Sequence, residues 1–142
     1  MAKLSPRLAA VVDALPLRPG MRVLEIGGAP GAAARVVARR IGHGHILVID
    51  RSATGIAQIR RNAADEIAAG RLSVRQVAVE DFELLTSEEP FDLAFAIRVG
   101  ALDGRHPRAG VLATRRIAAA LTPAGRLFVD GGDPLREIDL AR

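Results

Sequence analysis

Strand-like and helix-like runs alternate four times along this chain. That alternation predicts an α/β fold with a doubly wound, mostly parallel sheet and helices on both faces. Short strands are expected at residues 22–26, 46–49, 72–79, 91–97 and 126–129. The second, ILVI, is a continuous apolar run of the kind buried on both faces. Residues 32–41 read as an alanine-rich helix. Ser52 caps another, whose Ile56, Ile59, Ala63 and Ile67 share a face before Gly70 ends it. Pro107 opens a third, with Val111, Leu112, Arg115, Ile117 and Leu121 expected to place most of its apolar side inward. Ahead of the first strand, Ser5 and Pro6 give a cap and a first helical position, followed by one apolar face of Leu8, Val11, Val12 and Leu15. The 142 residues make one domain: an N-terminal helix over 1–16, a core over 17–132 and a short tail over 133–142.

Charge and composition narrow the function classes. The net charge is +4, yet Lys3 is the sole lysine, and the arginines are spread along the chain among acids. Such a spread reads as a solvated surface rather than a nucleic-acid footprint. The absence of cysteine removes thiolate metal sites and thiol nucleophiles, and it fits a reducing, cytoplasmic setting. No apolar run approaches the roughly 20 residues that cross a bilayer, so no membrane partner is expected. No histidine–carboxylate cluster suggests a metal.

The strongest local signal is VLEIGGAPGAAARVVA, residues 23–38, a strand that runs into a glycine-rich turn and then a helix. Gly27 and Gly31 permit a tight turn and a close ligand approach, with Gly28 and Ala29 between them. Open parallel sheets bind ligands at the carboxyl ends of their strands. Three acidic positions gather at three such ends. Glu25 precedes the turn. Asp50 closes the second strand, where a carboxylate can accept both ribose hydroxyls. Glu80 and Asp81, followed by Phe82, come after the third, where a carboxylate can accept from an adenine amine.

These residues resemble the class I S-adenosylmethionine-dependent methyltransferases, over roughly residues 17–132. The resemblance implies a Rossmann-like fold with S-adenosyl-L-methionine as cofactor and S-adenosyl-L-homocysteine as product. The family's acid and three alternating glycines match as Glu25, Gly27, Ala29 and Gly31, and its ribose acid matches Asp50. Arg51 falls where the adenine face is often covered, and Asp81 matches the adenine-binding acid, with the Phe82 amide aimed at the ring. FDLAFAI resembles the fourth motif, so that Arg98 and Val99 flank the methionine end of the cofactor. The middle glycine is replaced by Ala29, whose methyl group is expected to project where the cofactor passes. The chain ends soon after the fifth strand, so a sheet of about five strands is expected, without the usual C-terminal antiparallel hairpin.

His106 and Asp103, in the loop after the fourth strand, are the candidate general bases for an acceptor that must lose a proton. His43 and His45 read as exposed turn residues at the opposite edge of the sheet. The acceptor is expected to be a small molecule. A non-catalytic or degenerate cofactor-binding module and an NAD(P)-dependent oxidoreductase are the competing readings. Pro30 weighs against the latter, because proline removes a donor from a pyrophosphate-binding turn. A bare fifth strand would leave an apolar edge, Leu127, Phe128 and Val129, and a homodimer is expected to cover it. The tail reads as a short helix with Asp133 as N-cap and Pro134 at its first position.

Overall fold

The computed structural model describes residues 4–102, 104–140 and 142. Six strands form one sheet: β1 Arg22–Ile26, β2 His45–Asp50, β3 Leu72–Gln76, β4 Phe91–Ala96, β5 Leu121–Asp130 and β6 Leu135–Ile138. The order across the sheet is β3-β2-β1-β4-β5-β6. All neighbours are parallel except β5 and β6, which run antiparallel. Strand order reverses between β1 and β4, so a crevice opens there at the carboxyl ends of the strands.

Alternation along β1 sorts the two faces. Val23 packs with Val12, Ala34, Val37, Val48 and Ile59, under the helices α1 Pro6–Ala14, α2 Ala32–Arg40 and α3 Ala53–Asn62. Leu24 and Ile26 pack on the other face with Leu47, Ile49, Phe82, Ala113 and Ile117, under α5 Pro107–Ala120. The short α4, Ala64–Ala68, follows α3. Ser5 caps α1 through its Oγ, which accepts from the Leu8 amide at 3.2 Å. Ser52 caps α3 in the same way, from Gly55 at 3.0 Å. Among the described residues, no helix is long and apolar enough to cross a membrane.

The tail departs from expectation. Residues 135–138 form a strand rather than a helix, and Leu127, Phe128, Val129 and Asp130 pair with Ile138, Glu137, Arg136 and Leu135. Unpaired backbone groups on β5 offer a complete ladder, which outweighs a cap signal at Asp133 and Pro134. The sheet therefore has six strands, with an antiparallel pair at its end. The edge that suggested a homodimer is covered from within the chain. Deleting residues 134–142 is expected to bare Leu127, Phe128 and Val129 and to make the protein aggregate, measured by light scattering during refolding.

Two further differences have local causes. β3 stops at Gln76 instead of Val79, because its neighbour β2 ends at Asp50, directly opposite Gln76. In α5 the inward positions are Ala113, Ile117 and Ala120, at helical spacing. Val111 and Leu112 point outward and are 53% and 48% exposed.

Candidate functional site

The glycine turn leaves β1 at Ile26, and the Gly27 amide donates to the Ile49 carbonyl at 2.8 Å. Gly27 has φ of +69°, open to glycine and strained for other residues. A Cβ there would stand 2.9 Å from Val99 Cγ2, so a side chain would close the gap between the β1 and β4 ends. At Gly28 a Cβ would lie 2.5 Å from Val48 Cγ1 and 2.7 Å from the Glu25 carboxyl carbon, so glycine there lets the turn pack on the sheet. Gly27 keeps open a waist between two lobes. One lobe, about 350 Å³, is lined by Glu25, Gly28, Ala29, the first turn of α2 and Ile97, with Arg7, Leu8 and Val11 of α1 along one wall. The other, about 410 Å³, is lined by Ile49, Asp50, Arg51, Val79, Glu80, Val99 and His106 among others. Gly27 and Arg98 border both.

Glu25 faces the first lobe from the penultimate position of β1. It is 3% exposed, and its Oε1 has no hydrogen-bond partner among the described residues. Burial, and then the Asp50 carboxylate, push its carboxyl up to about 8. Both causes favour the neutral form of this carboxyl. Asp50 turns its carboxylate into the glycine turn. Its Oδ2 accepts from the Ala29 amide at 3.3 Å and its Oδ1 from the Ser52 amide at 2.9 Å. Each oxygen keeps a lone pair for another donor.

The two acids after β3 are placed differently. A 3₁₀ turn over Val79–Asp81 brings Glu80 to the crevice, whereas Asp81 is exposed outside its lining. Phe82 is buried in the core, and its amide donates to the Val79 carbonyl at 3.2 Å rather than facing the crevice. Arg51 is exposed at the rim of the second lobe. Val99 belongs to that lobe and Ile97 to the first, with Arg98 between them. Ala29 borders the first lobe, and its methyl group lies 3.0 Å from where a Cβ on Gly55 would stand. Gly55 of α3 thus makes room for it.

His106 occupies the N-cap of α5 without capping it, and its ring borders the second lobe. Asp103 lies outside the described residues. His43 and His45 sit at the opposite edge of the sheet. His45 is not a free turn residue, since its ring bridges the Gly70 carbonyl and the Ser73 hydroxyl, each at 2.8 Å.

Residues of the site that the sequence did not single out come from remote elements. Arg7 donates to Asp130 Oδ2 at 3.1 Å, and the Arg98 amide donates to Asp130 Oδ1 at 3.1 Å. Asp130, at the end of β5, therefore ties α1 to the end of β4. Arg98 has φ of +60°, uncommon for a residue with a side chain. No local pattern announces a contact across 123 positions.

Residues 23–125 match the model of a family described as a methyltransferase domain. A ubiquinone/menaquinone biosynthesis C-methyltransferase of Ruegeria sp. is 30% identical over 120 residues, 84% of this chain and 46% of that protein. A protein-L-isoaspartate O-methyltransferase of Methylorubrum extorquens is 34% identical over 127 residues, 89% of this chain and 49% of that protein. Among solved structures, an S-adenosylmethionine-dependent methyltransferase from Thiobacillus denitrificans, in complex with S-adenosyl-L-homocysteine, superposes with a TM-score of 0.68 at 24% identity. That match covers 89% of this chain and 48% of the other. The chain spans about half the length of the relatives it matches.

Proposed function

The chain belongs to the methyltransferase-domain family, and from that membership we propose that it binds S-adenosyl-L-methionine across the Gly27 waist and methylates a small-molecule acceptor. The observation that carries this reading is the buried, unpartnered Glu25 carboxyl facing one lobe while Asp50 borders the other. The residues fit the cofactor's chemistry. Glu25 receives the ammonium of the methionine moiety. The unsatisfied amides in the first turn of α2, at Ala32 and Ala33, suit its carboxylate. Asp50 accepts from the ribose hydroxyls. Ile49, Val79 and Val99 sandwich the adenine, with Glu80 in reach of its amine and Arg51 over its exposed side.

When bound, S-adenosylmethionine supplies a methyl group activated by a sulfonium, which an acceptor takes by in-line displacement. The protein's own work is alignment and exclusion of water. α1 contributes to the second task by walling the methionine lobe with Leu8 and Val11. Where the acceptor carries a proton, His106 is the imidazole that borders the crevice. Ala29 does not argue for a degenerate site, because its methyl group is accommodated by Gly55.

Calorimetry and thermal melting with S-adenosyl-L-homocysteine test this reading. At a hundredfold excess over Kd the ligand adds about 2.7 kcal/mol. A domain of this size should then melt about 5–10 degrees higher. NADH should give no shift. The reverse outcome would assign the crevice to a nicotinamide cofactor. Binding without transfer of labelled methyl to any metabolite fraction would leave a cofactor-binding module.

A further inference from the structure

We infer that the methyl acceptor carries an anionic group, a carboxylate or a phosphate, gripped by the guanidinium groups of Arg98 and Arg136. The inference rests on the methyltransferase reading of the crevice and specifies its substrate. Beside the crevice, at the ends of β4 and β5 and on β6, lies a further cavity of about 410 Å³. It is lined by Arg98, Arg105, Asp130, Gly131 and Arg136.

Position supports the assignment first. A sulfonium donor is bonded both to its ribose and to its amino-acid chain, so its reactive methyl must sit where the two lobes meet. Arg98 borders both lobes and this third cavity as well. A molecule seated in the third cavity is therefore placed beside the junction that the methyl group must occupy.

Charge supports it next. Six described arginines pair with carboxylates: Arg7 with Asp130, Arg35 with Glu66, Arg40 with Asp13, Arg75 with Glu88, Arg116 with Glu83 and Arg126 with Glu137. The side chains of Arg98 and Arg136 make no such pair with any described residue. Asp130, the acid among the described lining residues, already has both oxygens engaged, by Arg7 and by the Arg98 amide. The cavity thus presents guanidinium donors whose planar fork matches a carboxylate or phosphate. Its size suits a small organic anion. The backbone of Arg98 is held in a sparsely populated conformation, a cost that concentrates at functional sites.

The test uses the full chain, free and saturated with S-adenosyl-L-homocysteine, at constant ionic strength set with sodium chloride. Inorganic phosphate and succinate are titrated separately by calorimetry. At least one of them should bind. A response to phosphate alone identifies a phosphate-bearing acceptor, and a response to succinate alone a carboxylate-bearing one. Arg136→Gln, on the exposed face of an edge strand, should weaken that binding by about tenfold or more, the loss of one charged hydrogen-bonding partner. Its affinity for S-adenosyl-L-homocysteine should not change. Arg61→Gln, an exposed arginine of α3, removes the same charge and should leave anion binding intact. Binding of neither anion, or an equal loss in both variants, would overturn the inference. Failure of S-adenosyl-L-homocysteine to bind would sink the cofactor reading and with it the anion's identity as a methyl acceptor, while the titration of the free chain still decides whether Arg136 holds an anion.

Discussion

Replacing Glu25 by glutamine is expected to make the ligand-free protein more stable at pH 8 and to weaken its hold on S-adenosyl-L-homocysteine. The carboxyl titrates near 8 in the folded chain, against an ordinary value of 4.5. Between those values the folded state keeps the proton and the unfolded chain loses it. Its contribution is therefore fully present below pH 4.5 and falls away as pH rises towards 8. At about 1.36 kcal/mol per unit, the loss across that window is on the order of 4–5 kcal/mol. Glutamine keeps the shape and does not titrate. The two proteins should melt at similar temperatures near pH 4.5, with the variant well ahead at pH 8.

Ligand binding should run the other way. An ammonium next to Glu25 favours the carboxylate, so binding below pH 8 releases a proton. Affinity should rise with pH, by up to about tenfold per unit, until the free carboxyl ionises by itself. Glu25→Gln should show weaker, pH-independent binding over the same range. Calorimetry in buffers of different ionisation enthalpy reads the proton directly. Wild-type binding without proton release would remove Glu25 from the ammonium.

Asp50→Ala should cost the second largest loss of affinity. A charged hydrogen-bonding group contributes about 1.5–3 kcal/mol, so S-adenosyl-L-homocysteine should bind roughly tenfold to a hundredfold more weakly. The alanine variant also frees the Ala29 and Ser52 amides, so part of its loss comes from the turn. Asp50→Asn separates the two effects, because the amide oxygen can still accept one backbone donor. Removing this charge also removes one of the two causes that raise Glu25. In both variants the stability lost on raising pH should therefore end at a lower pH than in the wild type. Unchanged affinity in Asp50→Ala would remove the ribose from this carboxylate.

Much of the frame is legible in the sequence because it is local. Residues 22–26 alternate faces, the glycines follow at once, and Asp50 closes an apolar run. Each of these patterns is written in consecutive residues. What escaped depends on neighbours. Glu80 and Asp81 are adjacent acids on a 3₁₀ turn, whose three residues per turn send successive side chains in different directions. Composition alone does not say which one meets the crevice. Val111 and Leu112 read as core because they are apolar. Helical phase, set by Ala113, Ile117 and Ala120 against the sheet, turns them outward. Residues 135–138 carry no strong strand signal of their own and become a strand because β5 offers a partner.

Asp130 is a shared resource. Arg7 on the wall of the first lobe and Arg98 at the edge of the third cavity draw on one carboxylate. Without Arg7, Asp130 would lose its countercharge and repel an anion in the neighbouring cavity. By reciprocity, an anion bound there strengthens the Arg7 contact.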